Sequence, residues 1–122
     1  MNQKNIFTAI AVILMLQGIT FFVLGDKVVM DAFPNLDENA YHALKDLMEV
    51  VAALSFLTGI IAYACRTFQG AVWAFTVGVL LLLVVTLKHM FVDHINVPIP
   101  AVIIQVLIAL SCGYLWSQGK KA

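Results

Sequence analysis

Two short runs in the sequence combine histidine with carboxylates at helical spacing. His42, Asp46 and Glu49 follow an i, i+4, i+7 pattern, which places them on one face of a helix. His89 and Asp93 are likewise four residues apart. Imidazole and carboxylate groups are ligands for zinc or iron, but these spacings match no established metal-binding signature. We therefore expect no metal site here.

Glu49 differs from the other acids because it lies inside an apolar run. A charge within a membrane span costs several kcal/mol unless it is paired or faces a polar cavity. We expect Glu49 to point into the bundle, with Lys88 on a neighbouring helix as a partner. Gln17 and Gln105 lie at comparable depth and could complete a polar pocket with these residues.

Three interpretations of this polar set remain open. The first is a structural cluster in which Glu49 and Lys88 tie two helices together. The second is an outer-half pocket for a small molecule such as a quinone or lipid, for which the candidates are His42, Asp46, Glu49, Lys88, His89, Gln17 and Gln105. The third is a metal or haem site using His42, His89 or His94, but the histidine spacing does not favour haem.

Four apolar stretches must position these residues. They cover residues 6–24, 47–65, 67–87 and 97–116, and each has about the 20 residues that a membrane-spanning helix needs. Hydrophobic residues make up 62% of the 122 residues and charged residues 11%. This composition excludes a disordered chain, a nucleic-acid-binding protein and an ordinary soluble enzyme. We predict an all-α integral membrane four-helix bundle, with residues 1–122 forming one transmembrane domain in contact with the lipid bilayer.

The charges divide between the two ends of this bundle. Four spans bring both termini to one side, and that side has no acid and four basic residues: Lys4, Arg66, Lys120 and Lys121. The other side has three lysines and all seven acids. By the positive-inside rule both termini are cytoplasmic. We expect a multi-pass protein of a bacterial-type inner (plasma) membrane.

Several local features predict packing. The connection at residues 66–70 is so short that we expect the second and third helices to be antiparallel neighbours. Asn35 or Asp37 should cap the start of the second helix. Cys65 and Cys112 are expected to pack rather than to act in redox chemistry. Four glycines should allow close helix approach: Gly18, Gly59, Gly70 and Gly78.

A set of short motifs between residues 18 and 94 resembles the DoxX-like family of small four-span membrane proteins. Gly25 and Lys27 follow the first span, and Glu49 begins the second. That span ends with Gly59 and then Arg66, and His89 closes the third span. The resemblance implies a four-span fold and a role as membrane partner of a redox system. Some members of the family are linked to thiosulfate:quinone oxidoreduction, and others to thiol and oxidative-stress defence with soluble partners.

From these observations we expect an accessory, non-catalytic membrane subunit near a quinone or redox system, with a polar pocket in its outer half. One alternative is a membrane oxidoreductase subunit that itself binds quinone or haem. Another is a small carrier that works as a dimer. The expected partners are a soluble or membrane redox protein, and self-association into a homo-oligomer stays open.

Overall fold

A computed structural model describes residues 2–119, which form four α-helices joined by short connections. The helices are α1 (Gln3–Ala32), α2 (Glu38–Ala64), α3 (Gln69–Phe91) and α4 (Ile99–Gly119). All four are long and apolar enough to cross a membrane. The predictions of an all-α fold and of four candidate spans are therefore confirmed. We call the end that holds Gln3 and Gly119 the inner end of the bundle, and the opposite end the outer end.

Helices α1 and α2 each begin where a side chain accepts a hydrogen bond from a free backbone N–H group. The Asn2 side chain accepts a hydrogen bond from the Asn5 N–H at the start of α1, and the Asp37 carboxylate accepts one from the Ala40 N–H at 2.7 Å. Of the two predicted caps for the second helix, Asp37 is confirmed. Because α2 begins at Glu38, its first turns are polar and precede the apolar run.

Helix α1 continues to Ala32, well past the apolar run that ends at residue 24. Asp26, Lys27 and Asp31 all lie in this extension. An apolar run therefore marks the part of a helix that can enter a membrane, whereas the helix itself also includes polar turns. The Asp26 carboxylate lies 3.5 Å from the Lys45 ammonium of α2, and both side chains are about half exposed.

The bundle consists of two hairpins. Helix α1 packs extensively on α2, α3 packs on α4, and α1 meets α4 at only a few positions. The expectation that α2 and α3 are antiparallel neighbours is wrong as regards packing. The chain reverses direction between them, but their backbones come close at almost no position within residues 2–119. A short connection joins the helix ends, but α1 occupies the face of α2 that carries the small residues.

The hydrophobic core lies in the inner half and joins the two hairpins. Phe7 is fully buried on α1 and its ring meets the Phe75 ring of α3 edge to face, with centroids 5.2 Å apart. Gln3 donates a hydrogen bond to the Phe68 carbonyl oxygen at 2.9 Å, which ties α1 to the start of α3. The core members are Ile6, Phe7, Ile10, Ala11, Ala62, Ala71, Val72, Val79, Ile108, Cys112 and Leu115.

Two of the four predicted glycine contacts are confirmed. A Cβ added at Gly18 would lie 2.7 Å from the Ala52 carbonyl oxygen, and one at Gly59 would lie 2.8 Å from the Ala11 carbonyl oxygen. These two positions bring the α1 and α2 backbones together. At Gly78 a Cβ would meet nothing within 4 Å, and at Gly70 it would meet only the Phe68 ring. For those two glycines the prediction of close helix approach is wrong.

The cysteines are free thiols, and both pack. Cys112 is fully buried in the core, and Cys65 is partly buried against it. Lys120 and Lys121, which were predicted to lie on the basic side, are outside the described residues.

Candidate functional site

The first candidate site is the side of α2 that carries His42, Asp46 and Glu49. The same side continues towards the inner end through Ala53, Phe56 and Ile60. We call these six residues the Glu49 face. All six are exposed. Phe56 lies at the border with α1, because its backbone N and its Cβ adjoin Gly18. The α2 residues Ala52 and Gly59, which pack on α1, lie about a quarter of a turn round the helix from the middle of the Glu49 face.

The expectation that Glu49 points into the bundle is wrong. Its side chain is exposed, and no hydrogen bond or ion pair reaches it from any residue between 2 and 119. The expected pairing with Lys88 is also absent, because the Lys88 ammonium lies 3.3 Å from the Asp93 carboxylate instead. The physical reason is the hairpin arrangement: α2 and α3 are not packed together, so Glu49 and Lys88 occupy separate surfaces.

The depth of Glu49 follows from its neighbours. The Asp26–Lys45 ion pair holds the polar ends of α1 and α2 together. Glu49 is one helical turn further in than Lys45, a distance of about 6 Å along the axis. At nearly this level Met48 packs on Gly25, and residues 50–65 after Glu49 contain no charge. Glu49 is therefore the most deeply placed acid on α2.

The second candidate site is a charged cluster at the end of α3. His89 Nδ1 lies 2.7 Å from Asp93 Oδ2, and Lys88 Nζ lies 3.3 Å from the same oxygen. Since a carboxylate only accepts, the imidazole N–H donates. These hydrogen bonds, from His89 first and from Lys88 second, hold the pKa of Asp93 below its usual value.

This cluster closes the end of a helix. The Val92 and Asp93 N–H groups both donate to the Lys88 carbonyl oxygen, and the Ile95 N–H donates to the His89 carbonyl oxygen. His94 takes a left-handed backbone conformation with φ of 52°, which suits a chain that turns away from a helix C-terminus. The predicted i, i+4 pair of His89 and Asp93 is thus present, and its observed contacts are those of a helix cap.

The third candidate site is the buried amide of Gln105. Gln105 on α4 is 9% exposed, and its Oε1 atom is buried with no hydrogen-bond donor among the described residues. Gln17 on α1 is partly buried. A buried amide oxygen without a donor costs about 1–3 kcal/mol. A molecule that donates a hydrogen bond to the Gln105 oxygen would remove this cost, so Gln105 is the polar side chain inside the bundle that most favours a bound ligand.

The seven predicted pocket residues are thus distributed over separate places. His42, Asp46 and Glu49 lie on the Glu49 face, Lys88 and His89 belong to the α3 cap, and Gln105 lies inside the bundle with Gln17 at its edge. Within the described part of the chain, no three of its His, Cys, Asp and Glu side chains are placed to hold a metal ion. A cavity of about 260 Å³ lies elsewhere, at the inner end between Gln69, Val72, Trp73, Trp116 and Gly119.

Sequence reasoning missed the link between the two hairpins at the outer end. The Asn96 side chain donates to the Asp31 carbonyl oxygen across 3.4 Å. This connects the α3–α4 connection to the end of α1. A side-chain amide that binds a distant carbonyl leaves no periodic signal in the sequence, so only the fold could reveal it.

Glu49, the most deeply placed acid on α2, thus has no hydrogen-bond or ion-pair partner among residues 2–119. Comparison with known proteins does not add to this: no family model matches the chain, and neither does any curated protein or solved structure.

Proposed function

We propose that this multi-pass membrane protein is an accessory subunit that acts by binding another membrane protein through α2. The observation that carries this proposal is the lone carboxylate of Glu49, which is exposed within a candidate span. In the most apolar 18-residue window of α2, 17% of the residues are buried, against 28% in each of the other three helices. Helix α2 packs on α1 alone and leaves a large surface for a further contact.

Lipid alone is a poor environment for this surface. An ionised carboxylate in a span costs several kcal/mol unless it pairs or reaches water. A partner helix that covers the Glu49 face would remove this cost and bury Ala53, Phe56 and Ile60 at the same time. The DoxX-like resemblance supports the same kind of role, since it implies a membrane partner of a redox system. The quinone or redox setting of this proposal depends on that resemblance.

Site-specific photocrosslinking in native membranes tests the proposal. A photoreactive residue at Ala53 reports on the Glu49 face, and one at Leu81, which is 63% exposed on α3, is the matched control. We expect a discrete product of higher mass, identified by mass spectrometry as a membrane protein, from position 53 and not from position 81. Equal products from both positions, or lipid adducts alone, would refute an accessory role of α2.

A ligand-binding role in the outer half is the second candidate, and Gln105 is the observation that favours it. Because the amide oxygen accepts hydrogen bonds, the ligand must offer a donor, such as the hydroxyl group of a quinol or lipid. We expect the purified protein to retain such a molecule, detectable by mass spectrometry, and Gln105→Leu to lose it. If Gln105→Leu only raises the unfolding temperature, Gln105 is an unsatisfied amide and not a ligand site.

We further propose that both termini face the cytoplasm of a bacterial-type inner membrane. The partition of basic and acidic residues between the two ends supports this orientation. In a Cys65→Ser background, a cysteine at Asn35 should react with an impermeant thiol reagent in intact cells, whereas one at Ser117 should react only after lysis. Labelling of position 117 in intact cells would reverse the orientation.

A further inference from the structure

The proposed accessory role leaves open how α2 would recognise its partner, and the Glu49 face limits the answer. Among the residues of α2 that are inward of Lys45, Asp46 and Glu49 are the only charged ones. Beyond Glu49 the face offers a methyl group, a phenyl ring and a branched alkyl chain, which pack on any apolar helix. Selectivity must therefore come from the carboxylates at the outer end of the face.

We propose that the Glu49 face binds a transmembrane helix that carries a single lysine or arginine. This cation would lie at the outer end of the bundle, about one helical turn inside the membrane boundary. The inference rests on the proposed accessory function and names the chemistry of its partner. A cation at that depth would neutralise Glu49, which is the acid furthest along α2 from its polar end and has no ion-pair partner among the described residues. The attraction between two such groups is strong where water is excluded.

The three lysines in the outer half of the described chain do not fill this role. Lys45 lies one turn outward on α2 and its ammonium is paired with Asp26. Lys88 is paired with Asp93. Lys27 lies in the polar extension of α1, beyond Asp26. None of the three has an ion pair with Glu49 in the structure, so the counterion must come from outside the described chain.

A second copy of the same chain is a poor occupant of this face. A symmetric pair of α2 helices places equivalent residues opposite each other, so Glu49 would approach Glu49 of the other copy, and Asp46 would do the same. Like charges at such positions oppose association. The charge pattern therefore favours a different helix with a complementary cation over self-association through α2.

Designed transmembrane peptides provide a direct test with the full-length protein in lipid vesicles. The probe is a Leu/Ala helix with one lysine about a turn inside one end. The comparison peptides carry leucine or glutamate at that position, or move the lysine to the centre. Energy transfer between a dye on Asn35→Cys, in the Cys65→Ser background, and a dye on the peptide measures association.

We expect the peptide with the near-end lysine to bind at least tenfold more tightly than the leucine peptide, and the glutamate peptide to bind least. Glu49→Gln should reduce binding of the lysine peptide to the level of the leucine peptide, whereas Glu49→Asp should retain part of it. Asp31→Asn is the matched control, because it removes one exposed acid from α1 outside the span and should leave binding unchanged.

Several results would overturn the inference. One is equal binding of the lysine and leucine peptides, and another is unchanged binding by Glu49→Gln. A third is energy transfer between two copies of the protein that Glu49→Gln abolishes, since that would make the second copy the occupant. If any of these results is found together with a different membrane protein crosslinked at position 53, the accessory role still holds, and only the proposal that Glu49 recognises a cation is refuted. Absence of any membrane-protein crosslink from position 53 would refute the accessory role itself.

Discussion

The two hairpins of this protein are held together in different ways. Between α1 and α2, Gly18 and Gly59 let the two backbones approach so closely that an added Cβ would lie within 3 Å of a main-chain atom. Between α3 and α4, Gly78 and Gly113 face open space, and the buried contacts come from branched side chains such as Val72, Val79 and Ile108.

This difference shows what drives helix association in an apolar solvent. Lipid tails compete with leucine and valine side chains for apolar contact, so close backbone packing and hydrogen bonds between helices carry more of the association. The first hairpin has both, because the Ser55 hydroxyl donates to the Leu14 carbonyl oxygen at 3.0 Å. We therefore expect changes at the α1–α2 interface to be costly, and equivalent changes in the second hairpin to be mild.

The largest effect is expected when both close-contact glycines are replaced. Overpacking costs about 1–3 kcal/mol per site, and the contacts of Gly18 and Gly59 are separate, so the costs should add. The Gly18→Ala/Gly59→Ala variant should lose about 2–6 kcal/mol, measured by unfolding in detergent.

The matched control for this pair is Gly78→Ala/Gly113→Ala, which adds two methyl groups in open space. Since alanine favours a helix more than glycine does, this control should be as stable as the parent or slightly more stable. Equal losses in the two double variants would show that the hairpins do not differ in their packing.

A smaller loss is expected where the two hairpins meet. Phe7→Ala removes a fully buried ring and its edge-to-face contact with Phe75. In a water-soluble protein such a change costs about 3–5 kcal/mol. Lipid is as apolar as the protein core, so burying the ring gains little hydrophobic free energy in a membrane, and we expect a loss of about 2 kcal/mol. Phe22→Ala on the same helix, where the ring is 68% exposed, should change the unfolding free energy very little, and a similar loss there would argue against a core confined to the inner half.

The hydrogen bond between helices should have a measurable but modest effect. Ser55→Ala removes the donor to Leu14 and should cost about 0.6 kcal/mol, the average for such bonds in a membrane protein. Ser117→Ala is the control, because the Ser117 hydroxyl donates to the Tyr114 carbonyl oxygen within α4. Thermal unfolding of the two variants side by side measures the difference, and a larger loss for Ser117→Ala would contradict our assignment.

The smallest effect is expected at the cap of α3, which is exposed. Hydrogen bonds from His89 and then from Lys88 lower the pKa of Asp93 below its ordinary value of about 3.8. The stabilisation of the helix cap by the ionised carboxylate is therefore fully present above that ordinary pKa, and it is lost as the pH falls through the lowered pKa. Asp93→Asn should remove this acid-side dependence. Amide hydrogen exchange at residues 92–97 should become faster in that variant at neutral pH, with no change in α1.

Sequence reasoning could find the elements but not their arrangement. The cap at Asp37 and the four apolar runs depend on neighbouring residues alone, so they were predictable. The face on which His42, Asp46 and Glu49 lie together was predictable for the same reason. Whether another helix covers that face could not be predicted from the sequence, because the answer depends on which helix α1 packs against along its length.

The sequence by itself determined that this is an all-α chain with four segments able to span a membrane, because length and apolar content decide which segments can leave water. It also determined that Glu49 is the acid placed deepest on α2. Only the tertiary structure decided that α1 packs on the side of α2 that carries Ala52 and Gly59, that Lys88 pairs with Asp93, and that Glu49 is left exposed. The physical reason is that packing depends on the shape of whole helix surfaces, and close contacts at Gly18 and Gly59 set the rotation of α2.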